Sequence, residues 1–514
     1  MTVGTTPYHS SLRRGHDGLM QLLHAEWTKF RTVRGWVIGT VSAGLVLVLV
    51  GLLASAGFHT GCPPEGCVTP PVGPDGEWVT DIFYFAYQPL DGDGSITVRV
   101  TSLTGLITYP PDHPNDIVPG VVPWAKAGVI IKESTRQGSP YAAVMVTGSH
   151  GVRMQYNYTH DTAGRSGGVS GASPRWLRLT RSSAVLTSYE SADGSNWTRV
   201  GSAYLGGLPR TVLVGLFVAS PWYIVSSPGL AGGTSSRLTQ ATANFDHVSL
   251  QGTAPGGGWT GHAIGVESGG PVLAQGGLME SEGRFTLSGT GDIAPAEGGG
   301  RRVEDTLRGT FAALIVVIVV ATMFITAEYR RGMIRTTLTA SPRRGRVLAT
   351  KAIVIGAVTF MAGLVGAAVA IPLGEWILRA DGNQILTVTS LTELRVVVGT
   401  AALLAVTAVL ALAVGTVFRR SAAAVTALIV AMVLPYVLAV AAPLPEGVSE
   451  WLLRVTPAAA FAIQQSLPQY PQVITGNTPL YYYPIAPWAG FAVLCAYTAV
   501  ALALAAYMIR RRDA

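Results

Sequence analysis

Six apolar runs constrain this chain more than any other feature. They are roughly Trp36–Ala56, Thr310–Ala327, Ala352–Leu373, Val396–Val417, Ala422–Ala442 and Pro487–Ile509, and none contains an acidic or basic side chain. About 18 apolar residues suffice to cross a ~30 Å hydrocarbon core as a helix, so each run predicts a transmembrane span. Charged residues make up only 13% of the chain and mean hydropathy is +0.38, against about 25% charged in ordinary soluble domains. Both figures argue against a purely soluble protein. Yet 61 Gly, 31 Pro and 11 Trp are too many turn formers and aromatics for membrane helices alone. A second, differently built region is expected.

Net charge is +7 and the isoelectric point is near 9.3, which raises nucleic acid as a partner, and position decides against it. Residues 58–308 hold no dense basic stripe; the excess Lys and Arg fall in residues 1–35, 328–351, 419–420 and 510–514, beside the apolar runs. Short loops rich in Lys and Arg stay on the cytoplasmic side. All four stretches fall inside without conflict across six crossings. The expectation is a multi-pass plasma-membrane protein with both termini cytoplasmic and residues 58–308 extracellular, as are the loops 374–395 and 443–486. Ala54-Ser55-Ala56 has the form of a signal-peptidase site. The run before it is longer than a signal core, and a leader containing Trp27, Phe30 and Trp36 is too elaborate to discard, so the run is read as a span.

The leader 19–36 places Leu22, Leu23, Trp27, Phe30 and Val33 at helical intervals on one side, with Lys29, Arg31 and Arg34 elsewhere. That pattern describes a helix lying at the membrane interface, its cations toward anionic lipid. A charged flank that only orients the next span is the plainer alternative. After the second span come Glu328-Tyr329-Arg330-Arg331-Gly332-Met333-Ile334-Arg335-Thr336-Thr337-Leu338 and Ser341-Pro342-Arg343-Arg344-Gly345-Arg346. This loop and the leader stretch from Ala25 through Glu26 to Arg34 resemble the permease subunits of type-2 ABC transporters, whose members carry nearly the same two stretches. The resemblance covers residues 20–57 and 306–514. It implies that the loop 328–348 is a coupling helix docking on a separate ATPase, with Glu328, Tyr329, Arg330, Arg331, Gly332 and Arg335 in that role. It implies export, and two copies, or this chain with a similar one, around a shared pathway. Positive-inside anchoring alone is the bland reading of the same cations.

The chain has four lysines, Lys29, Lys126, Lys132 and Lys351, and none follows a glycine, so G-x-x-x-x-G-K-[ST] is absent. It is therefore not its own P-loop ATPase, and ATP and Mg²⁺ are expected on the partner, with no cofactor bound here. No span carries the intramembrane Asp, Glu or His usual for ion coupling.

Between Cys62 and about Leu250 the pattern changes to short β-rich runs separated by turn residues, which predicts an all-β sandwich or jelly roll. Gln88-Pro89-Leu90-Asp91-Gly92-Asp93-Gly94-Ser95, the stretch Trp124 to Glu133, Trp176-Leu177-Arg178-Leu179 and Ser191-Ala192-Asp193-Gly194-Ser195-Asn196-Trp197 resemble concanavalin-like lectin and glucanase sandwiches. A retaining glycosidase needs two carboxylates about 5 Å apart. No E-x-D-x-x-E run supplies them, and Glu190 with Asp193 reads better as a strand end and a turn. Asp91 and Asp93 likewise suit a turn better than a Ca²⁺ site, and no metal-ligand spacing is present. Trp124, Tyr156, Trp176 and Trp197 are candidates for stacking on an extracellular glycan, although such rings are more often core. Cys62 and Cys67, with four residues between them in a compartment that permits disulfides, are expected to be bonded.

The expected organisation is a disordered N-terminus at 1–18, interfacial helix and first span at 19–57, an extracellular sandwich at 58–251 and a flexible Gly-rich return at 252–305 with one strand-like piece, Gly283–Ser288. Five further spans occupy 306–514, with Pro435 kinking the fifth and short interfacial helices in the outer loop 443–486. The fold class is thus multi-domain, a polytopic bundle of six transmembrane helices plus an all-β extracellular domain. A membrane-anchored glycan-binding or sensing protein without transport is the alternative function.

Overall fold

The computed structural model describes residues 18–58, 70–226, 234–253, 258–266, 275–296, 300–333, 343–441, 444, 446–473 and 482–512. The apolar runs form helices: α1 (Leu19–Thr32), α2 (Arg34–Ala56), α3 (Thr310–Arg330), α4 (Arg344–Ala380), α5 (Ser390–Phe418), α6 (Ser421–Met432), α7 (Leu434–Ala441), α8 (Glu446–Val455) and α9 (Pro487–Arg512). Six stretches are long and apolar enough to cross a membrane, with α6 and α7 together making the fifth. That span is interrupted at Val433, just before Pro435, where proline removes a backbone donor and crowds the preceding turn. The leader breaks at Val33 (φ −91°, ψ 97°), so it is a separate helix from the first span rather than one continuous rod.

Close backbone approach sets the helix packing. A Cβ on Gly309 would lie 2.0 Å from the Leu47 carbonyl oxygen, and one on Gly51 would lie 2.4 Å from that of Thr306. Glycine at these two positions lets α2 meet the turn before α3 without side chains between them, the usual role of small residues in lipid. Several buried hydroxyls are satisfied within their own helices, as when Thr400 Oγ1 donates to the Val396 carbonyl at 2.7 Å. The buried Gln464 then donates to Thr310 Oγ1 at 2.9 Å and to Thr400 Oγ1 at 3.0 Å.

Between α2 and α3 stands a domain of antiparallel sheets. The strand Phe83–Thr108 belongs to both layers. Its first part pairs with Thr211–Ala219 and Thr260–Ile264, and its later part with Arg175–Ser182 and Thr239–Thr253. The chain crosses between layers around Asp91-Gly92-Asp93-Gly94, where Gly92 takes φ +73°. Ile96, Val98, Leu177 and Phe245 from one layer meet Val129, Val144, Val214 and Leu216 from the other in one core. Each such fully buried side chain contributes roughly 1.5–3 kcal/mol.

One layer is covered on its second face as well. Lys126–Lys132 and Tyr141–Thr147 are buried at every position, so they read as continuous apolar runs instead of alternating ones. On that second face sit Ile130, Phe83, Phe217 and Tyr158 and both lysines. Lys132, wholly buried, donates to Asp81 at 2.8 Å, to the Ser139 carbonyl at 3.0 Å and to Tyr158 Oη at 3.0 Å. Burial pushes Lys132 below the ordinary lysine value while Asp81 opposes it. Lys126 donates to Asp292 and to the Ile293 carbonyl, and burial pushes Asp292 up against the pull of Lys126. Asp81 ends the strand Val79–Asp81, which pairs with Ile293–Pro295. Two lysines of one strand therefore pin the first and last strands of the domain.

The segment 252–305 departs from the flexible return expected of it. Thr260–Ile264, Gly277–Ser281, Arg284–Gly289 and Ile293–Pro295 are strands, paired with Phe83–Thr108, Thr239–Thr253 and Val79–Asp81. Its glycines serve strand ends and turns, as at Gly283 (φ +72°). In the outer loop, α8 is the expected short helix, but Tyr482 is buried against the Arg302 guanidinium at 4.3 Å and lies outside any helix.

Domain and bundle are bonded to each other. Arg301 Nε donates to Asn383 Oδ1 at 3.1 Å, Thr387 Oγ1 to the Gly76 carbonyl at 2.8 Å, and Gln472 Nε2 to the Tyr158 carbonyl at 3.0 Å. Removing one member of a buried ion pair costs about 3–5 kcal/mol, whereas an exposed pair is worth about 0–1. Lys132→Met is therefore expected to lower the stability of the full-length chain by about 3–5 kcal/mol. Arg210→Ala, at the exposed pair with Asp91, should change it by less than about 1. Tryptophan-fluorescence unfolding in detergent compares the two.

Candidate functional site

The residues singled out in the leader and in the loop after the second span meet at one end of the bundle. Helix α1 delivers Glu26 and Lys29, the last turn of α3 delivers Glu328, and the second turn of α4 delivers Lys351. Lys351 Nζ lies 2.7 Å from Glu26 Oε2 and 2.5 Å from Glu328 Oε1. Lys29 Nζ lies 2.9 Å from Glu26 Oε1 and 3.5 Å from Glu328 Oε1. Two ammonium groups thus balance two carboxylates.

Lys351 is 1% exposed, Glu26 3% and Glu328 6%. Burial alone would lower Lys29, but Glu328 and Glu26 outweigh it and hold the group above the ordinary lysine value. Phe324 supplies the apolar wall, with its ring 5.3 Å from Lys351 Nζ, 6.2 Å from that of Phe30 and 5.7 Å from that of Trp36. Trp36 is accordingly packed on α3.

The expected roles divide at this cluster. Glu26 and Phe30 form the buried face of α1, while Trp27 stays 44% exposed and Arg31 and Arg34 are exposed. Glu328 faces inward and is no docking surface. Tyr329 is half-buried with the Arg419 guanidinium 5.0 Å from its ring. Arg330, Arg331 and Gly332 are exposed, and Gly332 (φ +68°) ends α3 in the left-handed conformation that glycine adopts without strain. Arg335 and most of the loop, 334–342, lie outside the described residues, as do Cys62 and Cys67. Cys495, in α9, is a free thiol. Lys351 is the member that sequence reasoning missed. The helix begins at Arg344, seven residues before it, so this lysine lies within the helix rather than at its boundary.

On the sandwich, the four candidate stacking rings do not converge. Trp124 is 3% exposed, stacked on His150 at 4.0 Å. Tyr156 stacks on His160 at 4.2 Å, the Arg99 guanidinium sits 5.6 Å from Trp176, and that of Arg178 sits 3.9 Å from Trp197. Among the described residues no two of these rings pack together. Asp193 accepts from the backbone of Ser195 and Asn196, each at 2.8 Å. The backbone donor of Asn196, then that of Ser195, hold its carboxyl well below the usual range, so it is a turn residue as read. Asp91 is bound by Arg210 and Thr211, and Asp93 accepts from the Ser183 backbone. Among the described residues there is no cluster fit for a metal ion.

A family model described as ABC-2 family transporter protein matches residues 192–514. No curated relative matches the chain. Among solved structures, the chain is similar to a functionally unknown protein from Saccharomyces cerevisiae, at 20% identity over 33% of this chain and 74% of that one, with a TM-score of 0.20. It is also similar to Scytalido-glutamic peptidase with a peptide-based transition state analog, at 10% identity over 40% and 98%, with a TM-score of 0.26.

The cluster itself makes a graded expectation. Lys351→Met leaves two buried carboxylates with only the half-exposed Lys29 to balance them and should destabilise by about 3–5 kcal/mol. Lys29→Met, at a side chain 45% exposed, should cost about 1 kcal/mol or less after solvent screening. Thermal melts of the two variants in the same detergent give the order.

Proposed function

The chain belongs to the ABC-2 transporter family, a family of membrane transport proteins, and from that membership we propose that it is the permease subunit of an ATP-driven exporter. A separate cytoplasmic P-loop ATPase would bind ATP and Mg²⁺. Two permeases, identical or similar, would line the pathway. The charge distribution supports cytoplasmic termini and an extracellular domain at 58–308, the compartment in which Cys62 and Cys67 would pair.

The observation that carries this reading is the buried cluster of Glu26, Lys29, Glu328 and Lys351. A force applied to the end of α3 cannot be absorbed locally, because α1 and α4 are held to it through desolvated charges. Just beyond stand Arg330 and Arg331, exposed cations suited to an acidic cleft on a soluble motor. ATP-driven closure of an ATPase dimer would press there, and α1, α3 and α4 would tilt together to open the pathway outward. Tyr329, Gly332 and Arg335 belong to the same docking segment. Trp27 and Arg31 of α1, with Arg34 at the start of α2, would face the lipid headgroups. The sandwich is proposed to be concanavalin-like and to bind glycan outside the cell.

The test is affinity purification of the tagged chain from its native host in mild detergent, followed by mass spectrometry. A stoichiometric P-loop ATPase is expected. It should be lost on replacing Arg330 and Arg331 by Glu, with the melting temperature unchanged. If no ATPase accompanies the chain under conditions that preserve a known ABC complex, the permease reading falls.

A further inference from the structure

The sandwich carries a cleft that none of the aromatic candidates lines. It has a volume of about 410 Å³ and is walled by Arg165, Arg175, Glu190, Asp193, Asn196 and Thr198, at the lower end of the ~300–1,000 Å³ of small-molecule pockets. The strands Arg175–Ser182, Val185–Ser191 and Thr198–Tyr204 supply its floor, and the 192–197 turn supplies its rim.

Its polar groups are unevenly satisfied. Glu190 is 7% exposed and uses Oε1 to accept the Arg165 backbone N–H at 2.7 Å; among the described residues no donor meets its other oxygen. Arg175 Nε is buried without a hydrogen-bond partner among the described residues, and its Nη2 reaches the Ser166 carbonyl only at 3.4 Å. The exposed Arg165 guanidinium meets no carboxylate among them. Of these, Arg175 Nε is the buried atom, and a buried N–H is rarely left unmatched. Asp193 differs, since its oxygens are taken up by Ser191, Ser195 and Asn196.

The cleft thus offers a ligand the unpaired Arg175 Nε, the exposed Arg165 guanidinium and one Glu190 oxygen without a partner among the described residues. A cation would be repelled by the arginines, and a bare anion by Glu190. A ligand bearing both an anionic group and hydroxyls meets all three demands, because guanidinium binds carboxylate in a bidentate fork and a carboxylate accepts from hydroxyls.

We propose that this cleft binds an acidic saccharide, its carboxylate held by Arg165 and Arg175 and a ring hydroxyl donating to Glu190. The proposal rests on the reading of the sandwich as a glycan-binding domain and is independent of transport. The test is a glycan array bearing uronic-acid, sialic-acid and neutral saccharides, probed with the labelled full-length chain in lipid nanodiscs. Retention on acidic glycans is expected, weakened about tenfold or more by Arg165→Gln or Arg175→Gln, as loss of a charge-assisted pair implies. Glu190→Gln should weaken it too, while Arg136→Gln, at a side chain 78% exposed and outside the cleft, should not. Arg165 is exposed, so its variant keeps the test valid if Arg175→Gln fails to fold. Binding to neutral glycans only, or acidic binding indifferent to both arginines, overturns the cleft and leaves the glycan-binding domain standing. Absence of any retention overturns both.

Discussion

Taking an ammonium group out of water costs several kcal/mol unless a carboxylate receives it in good geometry. This chain has four lysines, and each meets a carboxylate: Lys126 with Asp292, Lys132 with Asp81, and Lys29 and Lys351 with Glu26 and Glu328. Three of the four are buried, and only Lys29 is partly open to water. Lysine here acts as a fixed point where distant segments must meet. Two such points close the sandwich, and one gathers three helices at the far end of the bundle.

Between those points the structure is continuous. Tyr158 shares its hydroxyl with Lys132 and Asp81, and its carbonyl accepts from Gln472 in the loop before the last span. Arg301 bonds Asn383 just beyond the end of α4, whose other end holds Lys351. A single helix therefore joins the underside of the sandwich to the charge cluster.

What the sequence made legible follows from how local each signal is. Six spans announce themselves because the cost of charge in lipid is paid residue by residue, and the break at Val433 because proline acts on its own turn. The β character of the insert was readable from short runs, and so was the strand Arg284–Gly289, whereas the other strands from Thr260 onward were hidden. Their glycines resemble a linker until Phe83–Thr108 and Thr239–Thr253 provide partners. The ion cluster was least visible, since Lys351 and Glu26 are separated by 325 positions. Glu328 was singled out through resemblance as part of a docking surface, and burial reassigns it to the interior. The aromatic candidates failed as a set for a related reason. Sequence shows which rings exist, and only the fold shows that Trp124 is enclosed and that the others stand apart.

The pairing of Val79–Asp81 with Ile293–Pro295 has a topological meaning. Neighbouring strands lie about 5 Å apart, so a domain of more than two hundred residues enters and leaves through a gap no wider than a hairpin. The helices it separates, α2 and α3, pack directly on each other through Gly51 and Gly309. To the bundle, the whole sandwich is equivalent to a tight turn. A six-span bundle can therefore carry such a module without parting the two helices that flank it.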